Sequence, residues 1–232
     1  MRLRNIPGAE DTLRQYPVFV VNPVGLKGRW HEHFGNTRPI HVEIGCGKGR
    51  FITTLAERHP DINFIAIELK AEVILRAAQK TEMREIPNLA MVQYNATLLS
   101  DLFADGELAR IYLNFSDPWP KARHYKRRLT YASFLALYRQ VLAPEGEIHL
   151  KTDNEKLFEF SLNQFSNEGF QLQAITFDLH QSKWAEDNVM TEYEQRFSER
   201  GQRIYRTEAL ATPRYLAPAR DVAISPENII TV

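Results

Sequence analysis

Residues 40–51 read IHVEIGCGKGRF. An apolar run, IHVEIG (40–45), enters a turn with glycine at Gly45, Gly47 and Gly49, and a helical pattern follows over 49–58. A strand that passes through a glycine turn into a helix lets a ligand come close to the backbone and rest near a helix N-terminus. The dinucleotide fingerprint needs G-x-G-x-x-G, but the residue three after Gly47 is Arg50. The pattern is G-x-G-x-G preceded by an acid, Glu43. Cys46 within it reads as a small space-filler.

Working outward, apolar β-rich runs alternate with helical patterns, the signature of parallel βαβ units. Strands are predicted at 63–69, 89–95, 110–116 and 147–152, several apolar almost throughout, as for strands covered on both faces. Helices are predicted at 71–85, 129–142 and 154–168. In the second of these, Tyr131, Phe134, Leu135, Tyr138, Val141 and Leu142 form one stripe, and Pro144 and Gly146 stop it. Two late strands, 170–178 and 202–206, complete a doubly wound, mostly parallel seven-stranded α/β sheet, with a long excursion through 180–195. Three segments are expected: an irregular arm over 1–39, one domain over 40–210, and a tail over 211–232 without a clear period.

Composition sets the outer bounds. Of 232 residues, 44% are hydrophobic and 25% charged, ordinary for a globular domain. No apolar run reaches the roughly 18–20 residues of a membrane span. The start has no apolar signal core, and one cysteine excludes an internal disulfide, so a cytoplasmic location is expected. The 29 basic and 29 acidic residues cancel, which alone argues against nucleic acid. The distribution argues the other way. KARHYKRR (121–128) has no acid, and Arg2, Arg4 and Arg14 near the start and Arg196, Arg200, Arg203 and Arg206 near the end add positive charge.

Polar residues stand at the strand ends. Glu68 ends the second strand, 19 residues after Gly49, where a carboxylate can accept from both hydroxyls of a ribose. Asn95 ends the third, within reach of an adenine edge. The fourth runs into NFSDPWPK (114–121), which opens onto the ligand side of such a sheet, with Pro118 and Pro120 stiffening the turn around Asp117 and Trp119. His124, His149 and His180 lack ligand spacing, so no metal is expected. Ser116 has no base near it in sequence, so no nucleophilic triad is expected.

G-x-G-x-G after an acid is the spacing of S-adenosylmethionine-dependent methyltransferases, and Glu43 is placed to accept from the cofactor's ammonium. RLRNIPGA, EIGCGKGRF, NFSDPWPK, KRRLT, KTDN and MTEYE together resemble bacterial tRNA (guanine-N7)-methyltransferases from Leu3 to about Leu210. The resemblance implies S-adenosylmethionine as methyl donor, S-adenosylhomocysteine as product, tRNA as partner with guanine 46 of the variable loop as target, and a homodimer. It implies cofactor contacts at Glu43, Gly45, Gly47, Gly49, Glu68, Asn95 and Asp117, with Asp117 also catalytic. It implies substrate contacts at Lys121, Asp153, Thr191, Glu192, Tyr193 and Glu194, and an RNA-facing stretch of Arg123, His124, Tyr125, Lys126, Arg127 and Arg128. Relatives often carry Asp where Asn95 stands, and the tail after Leu210 matches nothing in the family. Trp119 and Tyr193 are the rings available to stack on a splayed base. Two other readings remain at this point: a small-molecule methyltransferase, and a non-catalytic RNA-binding relic of the cofactor fold.

Overall fold

Along β1 (Ile40–Ile44), Ile40, Val42 and Ile44 face one apolar cluster, while His41 and Glu43, also buried, face the other side of the sheet. The same alternation runs through β4 (Leu108–Asn114) and β5 (Leu142–Thr152). Ile111, Leu113, Ile148 and Leu150 enter the first cluster; Arg110, Tyr112, Asn114, Glu147, His149 and Lys151 stand on the opposite face. The expectation that several strands are apolar almost throughout is met by β2 (Asn63–Glu68) and β3 (Leu89–Gln93), whereas the central three have a polar second face. That face carries buried polar and charged side chains, among them Glu43, Asn114 and Lys151, and the ion pairs of Glu147 with Arg110 and His149.

A computed structural model describes residues 6–212 of the chain. The seven-stranded sheet has the order β3-β2-β1-β4-β5-β7-β6, with β6 (Gln171–Thr176) and β7 (Tyr205–Leu210). β1 to β5 pair in parallel, and β7 lies antiparallel to both neighbours. The order reverses between β1 and β4, so the crevice beyond their carboxyl ends is the ligand-binding switch point of a doubly wound sheet.

The helices are α1 (Ala9–Leu13), α2 (Trp30–Phe34), α3 (Arg50–Arg58), α4 (Ala71–Thr81), α5 (Leu99–Leu102), α6 (Ala132–Val141), α7 (Glu155–Asn167) and α8 (Glu192–Ser198). α3 and α4 lay buried stripes over Phe64, Ala66 and Met91. On the other face, Leu135 and Tyr138 of α6 and Phe158 and Phe165 of α7 cover Ile111 and Ile148. Asn154 caps α7 by accepting from Leu157 N at 2.9 Å.

Three expectations change. Residues 6–39, expected as an irregular arm, are packed against the sheet. Leu13 and Trp30 are wholly buried, Trp30 donates to the Leu102 carbonyl at 2.9 Å, and Val18 and Val20 bond to Met91 of β3. Their apolar residues pack singly, without a period, so the pattern could not show it. β7 starts at Tyr205 rather than 202, because its register is set by Thr152 opposite Tyr205. β5 starts at Leu142 rather than 147, continuing from α6 through Glu145, which takes a left-handed φ of 62° beside Gly146. Arg2, Arg4 and the tail beyond Thr212 lie outside the described residues.

Candidate active site

The glycine turn forms because β1 must reverse into α3 within five residues. Gly45, Gly47 and Gly49 have φ of 77°, 58° and 78°, a region costly for residues with a Cβ. At Gly49 a Cβ would also sit 2.8 Å from that of Ala77, so this glycine sets how closely α3 approaches α4. The turn is strapped to β2: Gly45 N and Cys46 N donate to the Ile67 carbonyl at 2.8 and 3.0 Å. Cys46 is buried, which raises its thiol pKa and suits a filler rather than a nucleophile.

Two clefts meet at Gly45. One, of about 390 Å3, is lined by Glu68, Leu69, Asn95, Trp119, Arg127 and Phe134 among others. The Glu68 carboxylate is pre-oriented there by three backbone N–H groups, from Gly47 at 3.2 Å, Leu69 at 2.9 Å and Lys70 at 3.2 Å. Asn95 is exposed and its Oδ1 accepts from Thr97 N at 3.0 Å. That oxygen already caps a turn, so the amide's free donors face outward more readily than its acceptor.

The other cleft, of about 260 Å3, is lined by Glu43, Gly47, Lys48, Phe115, Glu192 and Tyr193 among others. Glu43 is wholly buried. Its Oε1 accepts from Asn114 Nδ2 at 2.8 Å, while Oε2 has no hydrogen-bond partner among the described residues. Burial pushes its pKa up to about 8, against the Asn114 hydrogen bond and the nearby Lys151 charge, which pull it down. A buried acceptor with nothing to accept from is expensive, and a ligand cation is the group that would satisfy it.

The turn after β4 spans the two clefts. Phe115 lines the smaller and Trp119 the larger, and both hold left-handed φ, 53° and 42°. Asp117 lies between them, exposed, its carboxylate bonded to none of the described residues. Arg128 clamps the turn by donating from Nε to the Pro118 carbonyl at 2.9 Å and from Nη2 to the Trp119 carbonyl at 3.3 Å, with its guanidinium 4.4 Å over Phe160. Arg128, grouped from the sequence with the RNA-facing cations, is half-buried and spends two of its donors on the turn. Arg123, Tyr125, Lys126 and Arg127 are exposed, and His124 half-buried, on a 3-10 segment (Ala122–Arg127) that begins at the exposed Lys121. Trp119 is engaged on one face by Arg127 at 4.9 Å and by the edge of His124.

On the far wall stands α8. Thr191 caps it in a capping box with Glu194, so Thr191 has a structural duty besides lining the cleft. Glu192 pairs with Lys80, which also donates to the Lys48 carbonyl at 3.1 Å. Tyr193 stacks on Phe197 at 4.1 Å and donates to Asp153 Oδ2 at 3.1 Å; burial and that carboxylate push its pKa up to about 12. Glu194 departs from its expected part. It is fully buried and joined to Lys151 Nζ at 2.7 Å, away from the cleft lining. Sequence reasoning missed Asn114, Lys151 and Lys80. The alternation along β4 and β5 was the one available signal for the first two. Among the described residues no group of three or more His, Cys, Asp or Glu is placed to hold a metal ion, and no helix is long and apolar enough to cross a membrane.

The orphaned acid, the glycine turn and the pre-oriented Glu68 fit the ammonium, chain and ribose of S-adenosylmethionine, and on this sheet they define a Rossmann-like methyltransferase that uses it. The chain matches the profile of the Methyltransf_4 methyltransferase family over residues 37–207. It is 75% identical over 209 residues to the tRNA (guanine-N(7)-)-methyltransferase of Brevibacillus brevis, covering 90% of this chain and 98% of that one. To that of Geobacillus thermodenitrificans it is 57% identical, covering 92% and 99%. Among solved structures, the 16S rRNA methyltransferase KamB superposes with a TM-score of 0.62 at 12% identity, over 80% of this chain and 94% of that one. The aminoglycoside-resistance methyltransferase NpmB1 gives 0.55 at 20%, over 80% and 93%; at such identities the likeness concerns the fold alone. The chain belongs to the tRNA (guanine-N(7)-)-methyltransferase family.

Proposed function

We propose that this chain methylates N7 of guanine 46 in the tRNA variable loop, with Asp117 as its catalytic residue. The observation that carries this is the free, exposed carboxylate of Asp117 on a rigid turn whose neighbours line both clefts. S-adenosylmethionine, when bound, supplies a methyl group on a positively charged sulfur. Glu43 accepts its ammonium and Glu68 its ribose hydroxyls. Guanine N7 has an in-plane lone pair and no proton, so no base is required and alignment is the main task. Asp117 accepts from the guanine N–H edge, orients the base, and gains attraction as positive charge develops on the purine. Lys121, Arg123, Lys126 and Arg127 attract RNA phosphates, while Asp153, Glu192 and Tyr193 border the acceptor side.

Within this reading, residues 40–210 hold both sites and the segment before them buttresses the sheet. A cytoplasmic location agrees with a lone reduced cysteine and a tRNA substrate, and the family resemblance supports pairing of two copies, which light scattering of the purified protein would measure. The functional test is transfer of labelled methyl to unmodified tRNA, to the same tRNA with guanine 46 replaced, and to free guanosine, followed by mass analysis of nucleosides. Only the first should yield 7-methylguanosine. Equal transfer to guanosine, or none to tRNA, overturns the reading.

A further inference from the structure

We propose that Glu194 is a positioning residue: paired with Lys151, it anchors α8 to the end of β5 and so shapes the methyl-donor cleft. This rests on the cofactor reading above. Thr191, Glu192 and Tyr193 line the cleft, whereas the fourth member of the run is wholly enclosed. Both its oxygens are committed inside the protein. Oε2 accepts from Lys151 Nζ at 2.7 Å and from Thr191 N at 3.4 Å, and Oε1 accepts from Asn188 Nδ2 at 2.6 Å.

Lys151 is equally committed. Besides Glu194 it donates to the Val189 carbonyl at 2.8 Å and Asn188 Oδ1 at 3.1 Å, and its ammonium lies 4.8 Å from the centre of the Phe51 ring. One ammonium thus ties α3, β5, the 188–189 segment and α8 together. A helix of seven residues does not hold itself, so its position depends on such ties. His180 Nε2 lies 3.4 Å from Glu194 Oε1 in the same pocket, while the other side-chain ties of α8, Lys80 to Glu192, Arg50 to Gln195 and Tyr193 to Asp153, lie nearer solvent, where ion pairs and hydrogen bonds constrain less. Removing one member of a buried pair strands the other's charge, and the segment must shift to rehydrate it.

The experiment measures S-adenosylhomocysteine binding by calorimetry with no RNA present, for the wild type, Glu194→Gln, Lys151→Met and the double variant. Each single change should weaken binding by about tenfold, and the double should be no worse than the weaker single, since both break one link. Amide exchange over 191–198 without ligand should quicken in both singles. Glu194→Gln keeps the side-chain shape and decides the matter if Lys151→Met fails to fold. Binding within twofold of wild type in Glu194→Gln together with unchanged exchange, or additive losses in the double, overturns the proposal. If the wild type itself does not bind the ligand, the cofactor reading fails, and the exchange rates still test the anchor.

Discussion

One face of the sheet carries two polar clusters built from the same strands, two residues apart. The inner cluster joins Arg110 to Glu147 Oε2 at 2.7 Å, His149 to the same oxygen at 2.8 Å, Arg206 to Glu208, and the Tyr112 hydroxyl to His41 and Arg110 at 3.1 and 3.3 Å. It borders a cavity of about 320 Å3, larger than the cleft beside Glu43. Yet its carboxylates are paired, and the Glu147 carboxyl is held down to about 2 by the His149 hydrogen bond and by Arg110, which outweigh its burial. In the outer cluster, Glu43 keeps one oxygen idle and its carboxyl is pushed the opposite way. Cavity size alone does not tell a site from a structural network; a buried carboxylate oxygen left unpartnered at the edge of a cleft is the sharper mark.

The comparison is broken most severely at Asp117. Asp117→Ala should lower kcat by about 10²–10³-fold, in keeping with loss of one well-placed stabilising group. Its melting temperature should barely move, because an exposed, unpaired side chain contributes within about 0.5 kcal/mol. Glu147→Ala should do the reverse, costing roughly 1–3 kcal/mol of stability through unpaired partners while kcat stays near wild type. Steady-state kinetics and thermal melts on both variants read this; near-normal turnover in Asp117→Ala would remove its catalytic role.

The next effect is in pH. A ligand ammonium favours ionised Glu43, and the free protein holds that group protonated below about 8. Affinity for S-adenosylhomocysteine should rise with pH toward that value, by up to about tenfold per unit, and flatten above it. Binding should release a proton, seen as a heat that varies with the buffer's ionisation enthalpy. In Glu43→Gln both the slope and the proton should vanish; a slope that persists places the titrating group elsewhere.

A smaller change is expected from Arg123→Glu combined with Lys126→Glu. If each cation meets one phosphate, the slope of log affinity against log salt should shrink by about 0.7–0.9 per contact. Arg128→Ala should instead lower the melting temperature, since its donors hold the Pro118 and Trp119 carbonyls. A last effect, confined to acid pH, concerns His41, whose pKa is lowered to about 3, mainly by burial. The unfolded chain takes up that proton below the ordinary value of 6.5 and the folded one only near 3, so stability drains away between the two as pH falls. His41→Phe should flatten this part of a melting-temperature profile, and an unchanged profile would assign the acid sensitivity to other groups.

The five parallel strands and the α3, α4, α6 and α7 helices were legible because each carries its own apolar period or glycine boundary. Glu43, Glu68 and Asp117 were legible because a doubly wound sheet sends its strand ends to one crevice. Partnership was not. Lys151 and Glu194 meet across 43 residues, and nothing local to MTEYE says that its first acid faces the cleft while its second is buried. Arg128 looks like its neighbours in KARHYKRR, and only the fold of the turn shows which carbonyls it holds. Trp30 and Leu13 are isolated among polar residues, so no periodicity could announce their burial.

The left-handed backbone at Phe115 and Trp119 bears on protein engineering. Such a conformation costs a bulky L-residue roughly 1–2 kcal/mol. Judged by backbone preference alone, glycine or asparagine at either place is an obvious route to heat resistance. Both rings, however, form walls of the ligand clefts. Gains in thermostability are therefore to be sought away from this turn, where durability and turnover pull in opposite directions.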